Sequence, residues 1–243
     1  MLMYEYKSHI FDTLNEISHT QSGKIMEAAQ KAKEVMKHDG LIYVFGCGHS
    51  GILSEEVFYR AGGLGCVAPI FFPPLMLHVS ASKSSKLEKQ TGLAQQVIEE
   101  YKFTQCDMFF CISTSGINAV PIEVTETVRS QGVFTVAICS SAYFDKSVSS
   151  RSGRHLYEAA DIWIDNMVPY GDACLQPKGS RVNTTPLSTI MSTFIINSIL
   201  AESIEIAIAE GIDVPIYLSG NVPGGSEENV KLINRYSSRI KSL

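Results

Sequence analysis

The sequence lacks the signals of several common functions. It has no run of basic residues, and its net charge is −5. That excludes an electrostatic nucleic-acid surface, which needs clustered Lys and Arg. The six cysteines, Cys47, Cys66, Cys106, Cys111, Cys139 and Cys174, form no CxxC pair and no zinc-like spacing. Several sit in apolar runs, so they read as reduced, buried thiols of a cytoplasmic protein. No Gly-Lys-Ser/Thr closes a glycine-rich turn, which excludes a Walker loop. The start, MLMYEYKSHIFD, lacks a basic segment followed by an apolar core, and no signal peptide is expected. The longest apolar stretch, residues 187–209, is interrupted by Asn197, Glu202 and Glu205. It reads as a buried helix, and no membrane partner is expected.

What is present is apolar material in alternation. With 45% hydrophobic and 19% charged residues the chain can bury a sizeable core. Apolar residues recur at helical spacing over 8–38, and LIYVF (41–45) reads as a strand. Residues 50–61 read as helix, Cys66–Ile70 as a short strand, and 87–103 as one amphipathic helix. Strands follow at 107–112, 133–139 and 161–165, and helices at 119–131, 185–210 and 226–241. Strands without polar alternation, separated by helices, predict a mainly parallel sheet covered on both faces. The expected fold is a three-layer α/β/α sandwich with a flavodoxin-like sheet, in one domain over 1–243 with an N-terminal helical extension.

Two turns stand out. The first strand ends in FGCGHSG, and the 107–112 strand ends in STSGINAVP. Both are Gly/Ser-rich strand-to-helix turns, rich in backbone N–H groups that suit an anion. In a flavodoxin-like order these strands are neighbours where the winding reverses, and ligands sit there. The glycines at 46, 48 and 51 match a dinucleotide fingerprint by letter, but no acidic residue stands near Ile70 for a ribose hydroxyl. No cofactor is expected. Cys47 and His49 lie two apart with no second pair of ligand spacing, and no metal is expected either.

FGCGHSG, ISTSGINAVP and TTPLST, which opens the long apolar helix, together resemble the SIS (sugar isomerase) domain family. SEEVFYRAGGL and DNMVPYGDA are similar to a bacterial subgroup labelled phosphoheptose isomerase. The resemblance spans about residues 5–240 and implies the SIS fold. It implies a sugar-phosphate ligand held by Gly48 and Ser50 of the first loop and by Ser113, Thr114, Ser115 and Asn118 of the second. Thr184, Thr185 and Ser188 would add polar contacts. It also implies a homo-oligomer, a dimer or tetramer, with the site near the subunit boundary. Two departures are visible. The subgroup's SGRN reads Ser115-Gly116-Ile117-Asn118 here, without the arginine. Where phosphoheptose isomerases place a glutamate base, at the end of the helix after the first loop, this chain has Tyr59 and Arg60.

Aldose–ketose isomerisation needs a group that moves a proton between C1 and C2. The candidates are Glu55 and Glu56 after the first loop, His49 within it, His78 in FFPPLMLHVSAS, and Asp172 after the last strand. Glu55 and Glu56 diverge by about 100° on a helix, so only one can face a ligand. The expectation is a sugar-phosphate isomerase. The alternatives are a non-catalytic phosphosugar sensor, or an amino-sugar phosphate deaminase or etherase.

Overall fold

The computed structural model describes residues 1–243. Five parallel strands form one sheet: β1 (Ile42–Gly46), β2 (Val67–Pro69), β3 (Met108–Ile112), β4 (Phe134–Cys139) and β5 (Ile162–Asp165). Their order is β2-β1-β3-β4-β5. β1 therefore pairs with β2 on one side and β3 on the other, with Phe45 opposite Cys111. The chain reverses its winding between β1 and β3, as the alternation of strands and helices predicts.

The strands are apolar along their whole length because both faces are covered. One face carries α1 (Leu2–Thr20), α2 (Ser22–Lys37), α3 (Ile52–Glu56) and α8 (Ser188–Ala209). The other carries α5 (Ala94–Ile98), α6 (Ala119–Ser130) and α7 (Leu156–Ala159). α4 (Leu77–Leu87) lies beyond the β2 end, and α9 (Gly225–Tyr236) closes the chain with Tyr236 buried. Ala28, Ala29 and Ala32 of α2 are fully buried, and these small side chains let α8 lie close along it. α8 is long and apolar enough to cross a membrane by length and composition alone. Its Met191, Ile195 and Ile199 are instead fully buried in the core.

Three expected elements differ. The 8–38 helix is two helices, broken at Gln21, whose side chain accepts the Asp165 N–H. The helix after the first loop is only α3, preceded by a 3-10 turn over Gly48–Gly51. The 87–103 helix is absent as a unit: α4 ends at Leu87, Gly92 turns the chain with φ +87°, and only Ala94–Ile98 is α-helical. All six cysteines are free, and only Cys106 is exposed. Burial pushes the Cys66 and Cys111 thiols up to about 12.

Candidate functional site

The two Gly/Ser-rich loops meet at the carboxyl ends of β1 and β3 and line a cleft of about 280 Å³. Glycine shapes the first loop in two ways. A Cβ on Gly46 would lie 2.6 Å from the Ser50 carbonyl, so only glycine lets the 3-10 turn fold back onto the strand end. Gly48 takes φ +58°, the left-handed region that side chains resist. The turn presents Ser50 to the cleft, and no protein group engages its hydroxyl.

The second loop is held from beneath. The Ser113 hydroxyl accepts the Gly116 N–H at 3.3 Å, which closes the turn. The Asn166 amide, fully buried, donates to the Thr114 hydroxyl at 3.3 Å and to Ser192 of α8 at 3.2 Å. Ser115 lines the cleft with its hydroxyl free, and α6 starts directly after Asn118. The amino end of this 12-residue helix adds its dipole to the free backbone N–H groups of the loop. The arrangement suits a small anion with hydroxyl groups.

One carboxylate in the cleft was not foreseen. Glu88 follows α4, and its Oε1 accepts a hydrogen bond from the Asn118 amide at 2.9 Å. Its backbone carbonyl accepts the Val120 N–H at 3.0 Å. Four residues on, the Gly92 N–H donates to Glu123 of α6 at 2.6 Å. The Glu88 segment is thus fastened to the first turns of α6 at three points. Burial raises the Glu88 carboxyl above its ordinary value, and the Lys89 charge opposes that shift. A half-buried carboxyl beside a loop that suits an anion is a candidate for proton transfer. Ser84, Ser85 and Tyr143 also line the cleft.

The expected site residues divide. Gly48, His49, Ser50, Ser113, Thr114, Ser115, Asn118, Asp172 and Ser188 come together in the cleft. Asp172 is committed to α8: its carboxylate accepts the Leu187 and Ser188 N–H groups at 3.0 and 2.9 Å, and the Ser188 hydroxyl as well. It caps the helix and is not placed to act as a base. Ser188 is correspondingly turned towards Asp172. Asn118 presents its amide to Glu88 rather than to an anion. Thr184 and Thr185 do not line the cleft. Thr184 forms an antiparallel bridge with Leu175, and the Thr185 carbonyl beside it accepts the Cys174 N–H. Glu56 points away and pairs with Arg60. Glu55 and His78 line a different, mainly apolar hollow on the β2 side of the first loop. Of the five expected proton-transfer residues, only His49 remains free in the cleft.

A profile of the SIS domain matches residues 5–140. A UPF0309 protein of Geobacillus kaustophilus is 42% identical over 244 residues, covering 100% of this chain and 97% of its own. A UPF0309 protein of Thermoanaerobacter pseudethanolicus is 40% identical over 247 residues, covering 100% of both chains. In fold, the chain is similar to the phosphoheptose isomerase of Francisella tularensis, with TM-score 0.55, 14% identity, and 83% and 95% of the two chains covered. The phosphoheptose isomerase of Neisseria gonorrhoeae gives TM-score 0.53 and 15% identity over 85% and 98%. A parallel sheet in the order 2-1-3-4-5, two Gly/Ser-rich loops across its reversal and full-length likeness to UPF0309 proteins thus converge, and the chain belongs to the SIS domain family.

Proposed function

We propose that this protein binds a sugar phosphate in the cleft between the Ser50 loop and the Ser113–Asn118 loop and interconverts its aldose and ketose forms. The phosphate lies against the loop N–H groups and the Ser50 and Ser115 hydroxyls. Glu88 takes the proton from the carbon next to the carbonyl. The electron pair moves into an enediolate, the hydroxyl proton passes from one oxygen to the other, and the same carboxyl returns its proton to the former carbonyl carbon. The observation that carries this reading is the position of Glu88: a half-buried carboxyl, fixed by Asn118 and Val120, in the cleft that both Gly/Ser-rich loops line. Two structures of similar fold are phosphoheptose isomerases by name, which is consistent with the reaction class.

The test follows solvent deuterium into C1 or C2 of sugar phosphates by NMR. Glu88→Gln keeps an acceptor for the Asn118 amide but cannot take a proton. It should slow exchange by about 10²–10⁴-fold, the usual worth of a positioned acid–base group, with ligand affinity retained. Binding without exchange in the parent protein would replace the enzyme reading with that of a phosphosugar sensor.

A further inference from the structure

On the other side of the first loop lies a second hollow, about 200 Å³ in volume. Phe45, Ile70 and Leu75, all nearly fully buried, form its base. Ile52, Met76 and Leu77 stand around it. Gly48 and Leu77 belong to the lining of this hollow and of the polar cleft alike. An added Cβ on Gly48 would come 3.7 Å from Leu77 Cδ2, so the two residues meet where the cavities adjoin.

The hollow is built rather than left over. Its wall, residues 70–77, is pinned by side chains from other elements. The Tyr101 phenol donates to the Phe71 carbonyl and accepts the Phe71 N–H, at 3.3 and 2.9 Å. The buried Ser84 hydroxyl donates to the Leu75 carbonyl at 2.7 Å. The Ile70 N–H donates to Val44 at 2.9 Å, and Pro73 and Pro74 stiffen the turn. A wall held this way does not collapse inward, although an unfilled apolar void forfeits dispersion contacts. Apolar cavities of about 150 Å³ take a benzene-sized guest, so this one has room for a short hydrocarbon group.

We infer that this hollow is a substituent subsite: the sugar phosphate held in the cleft carries a short apolar acyl or alkyl group, and that group fills the hollow beside Leu77. The inference rests on the phosphosugar reading above and names the class of sugar phosphate that the site selects. Glu55 and His78, in the same lining, offer a carboxylate and an imidazole to the N–H and C=O of an amide link. That gives the two residues a place in recognition rather than in proton transfer.

Two measurements test it. Methyl NMR of the protein with benzene reads the hollow alone: the Ile70, Leu75 and Leu77 methyls should shift while Val136, buried in β4, should not. Calorimetry then compares glucose 6-phosphate with its 3-deoxy-3-acetamido and 3-deoxy-3-butyramido derivatives, in which C1 and C2 keep the oxygens that aldose–ketose interconversion needs. Affinity should rise about tenfold or more from acetyl to butyryl, the worth of two buried methylenes. Ile52→Trp, at a position 41% exposed on the rim, should abolish that rise and leave glucose 6-phosphate affinity unchanged. Unshifted methyls, or a flat acyl series while glucose 6-phosphate still binds, overturn the subsite and leave the phosphosugar reading standing. Failure of every sugar phosphate to bind overturns both, even where benzene enters the hollow.

Discussion

The Asn118 amide nitrogen lies 2.9 Å from Glu88 Oε1, which joins the second Gly/Ser-rich loop to the carboxyl that faces it. The two residues are 30 apart in sequence and come from different segments, one before β3 and one after it. The loop to which we assign the phosphate is therefore also the loop that aims the carboxyl. Any account of chemistry here must treat the pair as one device.

The raised pKa of Glu88 makes a statement about stability. Burial disfavours its charged form in the folded protein more than in the unfolded chain. The folded state therefore holds this proton more tightly, and stability falls as pH rises from the ordinary carboxylate value through the folded value. Below that window the neutral acid carries no penalty. Glu88→Gln removes the titration and keeps the acceptor for Asn118. Urea unfolding at pH 7 should show Glu88→Gln as stable as the parent or more so, with the difference vanishing near pH 3.5. A variant less stable at pH 7 than at pH 3.5, relative to the parent, would contradict the assigned direction.

Ser50 and Ser115 line the cleft with uncommitted hydroxyls. A hydrogen bond to a charged group is worth about 1.5–3 kcal/mol. Ser50→Ala and Ser115→Ala should each weaken sugar-phosphate binding by about 10- to 100-fold in calorimetry, with unchanged thermal unfolding. Unaltered affinity in both variants would remove the phosphate from these loops.

Asp172 should behave as a structural residue. It caps α8 through two backbone N–H groups and the Ser188 hydroxyl. Asp172→Ala should lower stability by about 1–2 kcal/mol, the usual effect of a lost N-cap. Denaturant titration measures this directly. A loss of proton exchange at full stability and full affinity would instead make Asp172 the proton carrier.

The amino-terminal helix predicts assembly. Met1, Leu2, Met3, Tyr4 and Phe11 of this region are exposed, and so are Ile190 and Ile208 on α8. α8 spreads its apolar residues over every face, with Glu202 and Glu205 exposed near its end, so its apolar surface extends beyond the side packed in the core. Light scattering at micromolar concentration should give at least a dimer, and Phe11→Glu should shift the mass towards the monomer. A monomeric parent protein would show that these faces stay in water.

The sheet order and the two facing loops were legible because each has a local signature. β1 and β3 are unbroken apolar runs, and each ends in a Gly/Ser turn whose glycines the backbone needs. Glu88 was hidden by a misjudged element. LEKQTGL reads as the opening of the amphipathic helix over 87–103, where nothing singles out its acid. The chain instead leaves the helix at Leu87, and the missed signal was Gly92, four residues beyond Glu88 and in the left-handed region. Glu55 and Glu56 look favourable in sequence because the helix that starts at the first loop carries its acids towards a ligand held there. α3 ends at Glu56, and its short run directs one acid to the apolar hollow and the other to Arg60. The role of Asp172 depends on α8 returning to it from fifteen residues away, a tertiary relation with no local mark.

The central claim is that the cleft between the two loops binds a sugar phosphate and that Glu88 moves a proton on it. The most direct measurement is deuterium exchange at C1 and C2 of a saturating sugar phosphate in heavy water, run side by side with the parent protein, Glu88→Gln and Glu55→Gln. Exchange in the parent, its loss by about 10²–10⁴-fold in Glu88→Gln and its retention in Glu55→Gln are the predicted result. Exchange that persists in Glu88→Gln and disappears in Glu55→Gln would contradict the account and return the chemistry to the helix after the first loop.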